Sequence, residues 1–265
     1  MYRKHFGLTR HPFGKDLAPE DLFVCAANRE LEVRLGHLLE LRGIGLVTGE
    51  VGSGKTTLCR KVTSALHSGL YRVLYVPLTT GNAMDLYKCI AWELGLETER
   101  SRAALYRCIR AEVTRLCLET KIRPVLVVDE AQHLRSDVLE DLRLLTNYEM
   151  DSQNRLCLLL VGQAELRRRL GMAVHEPLSQ RIVVRHYLGG LTREELALYL
   201  AHLLRLAGTE LPLFEGPALE AIFQATNGLP RKVNLLAHHS LTAAAIGKAR
   251  AVTAEHVQAA LPEVV

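Results

Sequence analysis

The sequence predicts an α/β fold: a five-stranded parallel sheet between helices, followed by a small all-helical domain. Three observations point there. Five short runs rich in Val, Leu and Ile alternate with longer helical patterns, a glycine-rich turn joins the first run to a helix, and strand-like runs stop after Gly189-Gly190. Continuous apolar runs imply strands covered on both faces, which is how parallel sheets are buried. The segments between the runs are long enough for helical crossovers.

Taken in order, the N-terminal MYRKHFGLTRHPF is basic and has no apolar core of a signal sequence. Residues 30–42 show a helical pattern, followed by the strand IGLVT (44–48) and a helix over 56–68. RVLYVPL (72–78) is the second strand, with helices over 83–94 and 102–119 before the third, PVLVVDE (124–130). A helix over 136–149, the strand LCLLLVG (156–162), a helix over 165–172 and the strand RIVVRHYL (181–188) complete the sheet. Helices then follow over 192–208, 217–226, 231–247 and 253–261. Thr192 and Glu195 form a capping-box pattern, and Thr253 with His256 is a variant of it. The expected domains are a linker segment over 1–28, an α/β domain over 29–190 and a helical domain over 191–265.

At 265 residues the chain can bury real cores without disulfide or metal staples. Apolar residues (48%) and charged residues (23%) are at globular levels, while the low aromatic content (5%) argues against an aromatic-rich binding surface. A formal net charge of +4 permits contact with a polyanion without demonstrating it. The six cysteines form no C-x-x-C pair, which fits buried free thiols in a reducing cytosol. With no charge-free apolar stretch of 18 residues, the expectation is a cytoplasmic chain without a membrane segment.

GEVGSGKT, Gly49 to Thr56, fits the phosphate-binding pattern G-x-x-x-x-G-K-[ST] between a strand and a helix. Gly49, Glu50, Val51, Gly52, Ser53 and Gly54 wrap backbone N–H groups around phosphate oxygens, and the helix N-terminus that follows, with Thr57 in its first turn, adds its positive dipole end. Lys55 is expected to bridge the β- and γ-phosphates and the Thr56 hydroxyl to ligate Mg²⁺. In PVLVVDE the strand delivers Asp129 and Glu130 to its C-terminal edge, where open α/β sheets bind ligands. Asp129 is expected to hold Mg²⁺ through its water shell, and Glu130 to orient and partly deprotonate an attacking water. In NGLPRKVN (227–234), Gly228 and Pro230 put Arg231 in the first turn of a helix. A cation there opposes the helix dipole, which makes sense if an anion sits nearby.

These residues, with DEAQHL (129–134) and the helical domain behind them, resemble the AAA+ ATPases over nearly the whole chain. Within that superfamily the chain is similar to the ExeA-like group, through HFGLTRHPF, TGEVGSGKTT, LEDLRLLTN (139–147), LVGQAEL (160–166), LSQRI (178–182) and NGLPRKVN. That group includes secretion-pathway ATPases and helper ATPases encoded beside transposases. The resemblance implies ATP with Mg²⁺, a helical lid and assembly into a ring or filament. It puts Gln163 at the sensor 1 position, where many members have Asn, Ser or Thr. Arg181 falls where subunits extend an arginine finger into a neighbour's site, with Arg185 as the alternative, and Arg231 matches sensor 2, which reads the γ-phosphate. Phe13 lies in a segment that packs near adenine in relatives; an aromatic anchor for the terminus is the other reading.

For output, the helical segment over 101–123 carries Arg102, Arg107, Arg110 and Arg115, and ELRRRL carries Arg167 to Arg169. These form either a solvated face or a track for DNA phosphates. Thr79, Thr80 and Asn82, after the second strand, lie in a region that lines the pore of DNA-tracking relatives. With no helix-turn-helix, zinc finger or aromatic platform in sight, binding to double-stranded DNA is expected to tolerate sequence. Two biological roles fit the resemblance: a DNA-binding helper that recruits or stimulates a transposase, and a secretion ATPase at the inner membrane; a third reading, of a different class, is a nucleotide-controlled interaction switch with negligible turnover. Secretion members continue into a membrane span and a peptidoglycan-binding region, whereas this sequence stops at LPEVV, so the expectation is the transposition helper.

Overall fold

A computed structural model of the chain describes residues 2–14, 16–77 and 81–264. In chain order the helices are α1 (Tyr2–His5), α2 (Ala26–Leu41), α3 (Lys55–Ser64), α4 (Ala83–Glu93), α5 (Arg102–Leu118), α6 (Ser136–Leu145), α7 (Ala164–Leu170), α8 (Glu176–Ser179), α9 (Arg193–Leu206), α10 (Gly216–Thr226), α11 (Pro230–Ile246) and α12 (Ala254–Ala260). The strands are β1 (Ile44–Gly49), β2 (Tyr71–Val76), β3 (Arg123–Val128), β4 (Cys157–Gly162) and β5 (Ile182–Leu188). They divide between two compact units: one of Ala27–Gly49 and Lys55–Leu188, the other of Met1–Ala26, Glu50–Gly54 and Gly189–Val265.

The first unit is the sheet, ordered β2-β3-β4-β1-β5 with every pairing parallel. Its strands alternate between two cores. Leu46, Leu126, Val128, Leu158 and Leu160 face α4, α5 and α6, while Val47, Val125, Val127, Leu159 and Val161 face α2 and α3. That two-sided burial is why β1, β3 and β4 read as unbroken apolar runs. The edge strand β5 differs, since its residues alternate buried and exposed with Val183, Arg185 and Tyr187 outward. The parallel ladder sets Thr48 beside Gly162 and Val128 beside Leu160. Gly49, Asp129 and Gln163 therefore leave the sheet at the same edge.

The second unit packs α9 to α12 with the N-terminal segment. Thr192 caps α9 in a full capping box with Glu195, and Thr253 and His256 do the same for α12. Thr9 donates from its backbone N–H and its hydroxyl to the Ala207 carbonyl, and the Tyr2 hydroxyl pairs with His11 and His238. The turn before α11 depends on glycine. Gly228 has φ +68°, and a Cβ there would lie 2.1 Å from the Leu191 carbonyl oxygen. No helix among the described residues is long and apolar enough to cross a membrane.

Candidate active site

The sheet edge presents a carboxylate held on all sides. Asp129 is buried, and its Oδ2 accepts the Thr56 hydroxyl at 2.7 Å and the Tyr75 hydroxyl at 3.0 Å, while Oδ1 accepts the Glu130 backbone N–H at 2.8 Å. Thr56 lies in the first turn of α3 and Tyr75 on the edge strand β2, so three elements converge on one side chain. Burial, then the charge and hydrogen bond of Asp129, push the Tyr75 hydroxyl up to about 12, which keeps it a proton donor. Cys59, one turn along α3, has its thiol pushed up to about 12 by burial and by Asp129, so it packs as a neutral, inert group.

Lys55 is buried and its Nζ donates to the Gly49 carbonyl at 3.0 Å. Glu130 follows Asp129 in the left-handed region, φ 50° and ψ 35°, and begins the short 3-10 turn Ala131–His133. Such a conformation at a non-glycine residue is costly and marks a constrained site. Gln163 begins α7 as its N-cap residue without a side-chain capping bond. Its N–H donates to Gln132 Oε1 at 3.0 Å.

In the other unit, Glu50–Gly54 forms the turn that links β1 to α3 in the chain. The Ser53 N–H donates to the Glu50 carbonyl, and Gly52 and Gly54 take φ +81° and +94°, conformations that glycine alone adopts without strain. The Arg231 backbone N–H donates to the Gly52 carbonyl at 3.2 Å, and a Cβ on Gly52 would lie 2.7 Å from Arg231 Cβ. Arg231 thus sits in the first turn of α11, exposed, with its main chain tied to the turn. Val51 is exposed and Phe13 is half-buried in a turn after Pro12.

The remaining candidates occupy defined places. Arg181 precedes β5 and pairs with Asp151, while Arg185 donates to the Ser179 carbonyl and hydroxyl at 2.6 and 2.9 Å. Arg102 pairs with the buried Asp141, and Arg110 donates to the Asn147 carbonyl and lies 4.2 Å over the Tyr148 ring. Arg107 is exposed on the same helix. Asn82 spends its side-chain oxygen capping α4, at 2.8 Å from the Met84 N–H. Thr57 is exposed on α3, and Thr79 and Thr80 lie outside the described residues.

The residues present fit a magnesium nucleotide. Thr56 and Asp129 are hard oxygen donors already in contact, the donor type Mg²⁺ requires. Ser53 Oγ is buried without a hydrogen-bond partner among the described residues, and a Cβ at Gly54 would meet nothing within 4 Å. No group of three or more His, Cys, Asp or Glu able to hold a metal occurs among the described residues.

Fold and site together define a P-loop nucleotide-binding protein whose parallel sheet is covered by helices on both faces. A family profile described as an AAA domain matches residues 38–170, and the chain belongs to that ATPase family. Over 92% of its length it is 34% identical to General secretion pathway protein A of Aeromonas hydrophila, covering 45% of that protein. It is also 28% identical, over 49% of its length, to 37% of the ATP-dependent target DNA activator B of Escherichia phage Mu. The chain thus spans less than half the length of either curated relative.

Solved structures share the fold. Cdc6p from Pyrobaculum aerophilum matches with a TM-score of 0.72 at 20% identity, over 96% of this chain and 70% of that one. The Aeropyrum pernix ORC1 protein in complex with DNA gives 0.67 at 19%, over 96% and 68%. The Thermotoga maritima RuvB Holliday junction branch migration motor gives 0.61 at 21%, over 96% and 73%.

Sequence patterns singled out neither Tyr75 nor Gln132 nor Arg169 for the site. Tyr75 is one residue of the apolar run RVLYVPL, and only the pairing of β2 with β3 brings its hydroxyl to Asp129. Gln132 carries a weak signal as the polar third residue after Asp129 in DEAQHL.

Proposed function

We propose that the chain binds and hydrolyses ATP with Mg²⁺ and couples the cycle to assembly on double-stranded DNA, where it recruits or stimulates a transposase. The observation that carries the hydrolase reading is the contact of Thr56 with Asp129, with Glu130 following on the constrained turn. Residues Gly49 to Thr57 hold the phosphates, with Lys55 as the countercharge and Ser53 as a hydroxyl without a partner among the described residues. Mg²⁺, when bound, neutralises developing charge on the phosphates, and Thr56 and Asp129 are the residues that would hold it. Glu130 orients the attacking water and accepts its proton, while Gln163 supplies a polar contact at the sheet edge. Arg231, tied through its backbone to Gly52, responds to charge on the phosphate turn. Arg181 is the finger offered to a second copy, for which it must exchange its bond to Asp151.

Two observations support the DNA role: the likeness to the phage Mu target DNA activator and the exposed Arg107 on α5. The 34% identity to General secretion pathway protein A favours a second reading, an ATPase of a secretion pathway at the inner membrane. ATP turnover measured with and without duplex DNA separates the two. Stimulation by DNA, lost in Lys55→Ala and reduced by about 10²- to 10⁴-fold in Glu130→Gln, is the expected result. Turnover in the assembled protein that is indifferent to DNA would remove the DNA role and leave the secretion reading. Turnover that survives Glu130→Gln would remove Glu130 from the chemistry.

A further inference from the structure

Gln132 is buried, 5% exposed, immediately behind Glu130. Its Nε2 donates to Glu130 Oε2 at 2.6 Å and its Oε1 accepts the Gln163 backbone N–H at 3.0 Å. The amide has only one orientation that serves both neighbours. A backbone N–H can only donate, so Oε1 must face Gln163; an ionised carboxylate can only accept, so the NH₂ must face Glu130.

The main chain around Gln132 is fixed from the same direction. Arg169 on α7 donates to the Gln132 carbonyl at 2.6 Å and to the Leu134 carbonyl at 2.7 Å. Gln163 begins α7, so one short helix grips the Gln132 backbone at one end and orients its side chain at the other. Gly162 leaves the room this needs. A Cβ there would come within 2.8 Å of Leu166 Cδ2, 2.9 Å of Gln132 Oε1 and 3.3 Å of the Gln132 backbone N. Glu130 itself has a constrained, left-handed backbone, and its side chain accepts the Gln132 amide.

We propose that Gln132 is a positioning residue for hydrolysis: it fixes the Glu130 carboxylate for the attacking water and ties it to the β4 end, so that a displacement at Gln163 reaches Glu130 through one side chain. The proposal rests on Glu130 acting on water. A purely structural Gln132 would serve only to satisfy the Gln163 N–H. Gln132→Glu tells these apart, because it keeps an oxygen for Gln163 and sets a second carboxylate against Glu130.

The test uses the full chain, with duplex DNA present if it stimulates turnover. Nucleotide affinity is read with a fluorescent ATP analogue and the chemical step by single-turnover hydrolysis, for Gln132→Met, Gln132→Glu, Gly162→Ala and the control Glu130→Gln. Gly162→Ala disturbs the amide without removing it but also crowds Leu166, so where it melts as the wild type does it decides the matter with Gln132→Glu if Gln132→Met fails a thermal melt. The expected result is a chemical step slowed by about tenfold or more in each variant, part of the contribution of a general base, with nucleotide affinity held within about twofold. Wild-type or faster hydrolysis in Gln132→Glu and Gly162→Ala, with Glu130→Gln inactive, would overturn the positioning role and spare the hydrolase reading. Hydrolysis that survives Glu130→Gln would overturn the assignment of Glu130, and the role of Gln132 with it.

Discussion

Gly52 carries two constraints at one Cα. Its φ of +81° is strained for any other residue, and a Cβ would press into Arg231 Cβ at 2.7 Å. Gly52→Ala is expected to cost about 1–3 kcal/mol of stability and to weaken nucleotide binding by at least about tenfold. Thermal melts and titration with a fluorescent ATP analogue check both parts, and wild-type affinity in this variant would show that the turn does not hold phosphate. The glycine pattern, Lys55, Thr56, Asp129 and Glu130 were legible in the sequence because each depends on local spacing after an apolar strand. Tyr75, Arg169 and the tie of Gln132 to β4 were not, since the partners lie far along the chain: Asp129 for the first, the Gln132 and Leu134 carbonyls for the second and the Gln163 N–H for the third. The run Arg167 to Arg169 looked like a charged face, yet its last member is a brace for the loop after β3.

At the scale of the element, α5 shows how a basic helix divides its charges. Both Arg102 and Arg107 are exposed, but Arg102, at the first residue, pairs with Asp141, whose side chain is 2% exposed. Removing Arg102 leaves the buried Asp141 without its cation, so Arg102→Ala is expected to destabilise by about 1–3 kcal/mol, and Arg107→Ala by no more than about 0.5. Urea unfolding of the two variants tests this; equal stabilities would mean that the Arg102 pair contributes nothing. If α5 meets DNA, Arg107→Ala lowers affinity and reduces the salt slope by about one without changing stability. Helix ends were the least legible elements. The pattern over 136–149 predicts one helix, but α6 stops at Leu145, where the Thr146 hydroxyl donates to the Arg143 carbonyl. Glu149, Met150 and Asp151 then all take positive φ, in a turn held by Arg155 on Glu149 and by the Tyr148–Gln153 bridge. TNYEMDSQ contains no Gly or Pro to announce it; side-chain bonds from Arg155 and Ser152 to Glu149, a few residues apart, make the turn.

For the whole molecule, three histidines kept neutral by burial set a pH window for stability. His175 is held below its ordinary value by burial and then by Arg169, with Glu140 opposing and the Ser136 hydroxyl 3.3 Å away. His186 is depressed by burial, against Glu30 and with Arg34, and its Nε2 is buried without a partner among the described residues. His238 is depressed by burial, His239 and His11, with Glu263 opposing. In each case the unfolded chain takes up a proton at a higher pH than the folded one. Their stabilisation is therefore complete above the ordinary histidine value near 6.5 and declines as pH falls towards the depressed folded values, by up to about 1.4 kcal/mol per pH unit for each proton. Glu112 and Glu140, lowered chiefly by their hydrogen bonds to Arg115 and Arg143, act in a separate window that opens only below the ordinary glutamate range. Thermal melts at pH 7.5, 6.5 and 5.5 are expected to show a falling Tm before any carboxylate is protonated. His186→Leu removes one of the three titrations and should flatten that fall, because its ring nitrogen has no acceptor to compensate a charge. A Tm constant from pH 7.5 to 5.5 would mean that these rings are solvated when folded, contrary to their packing.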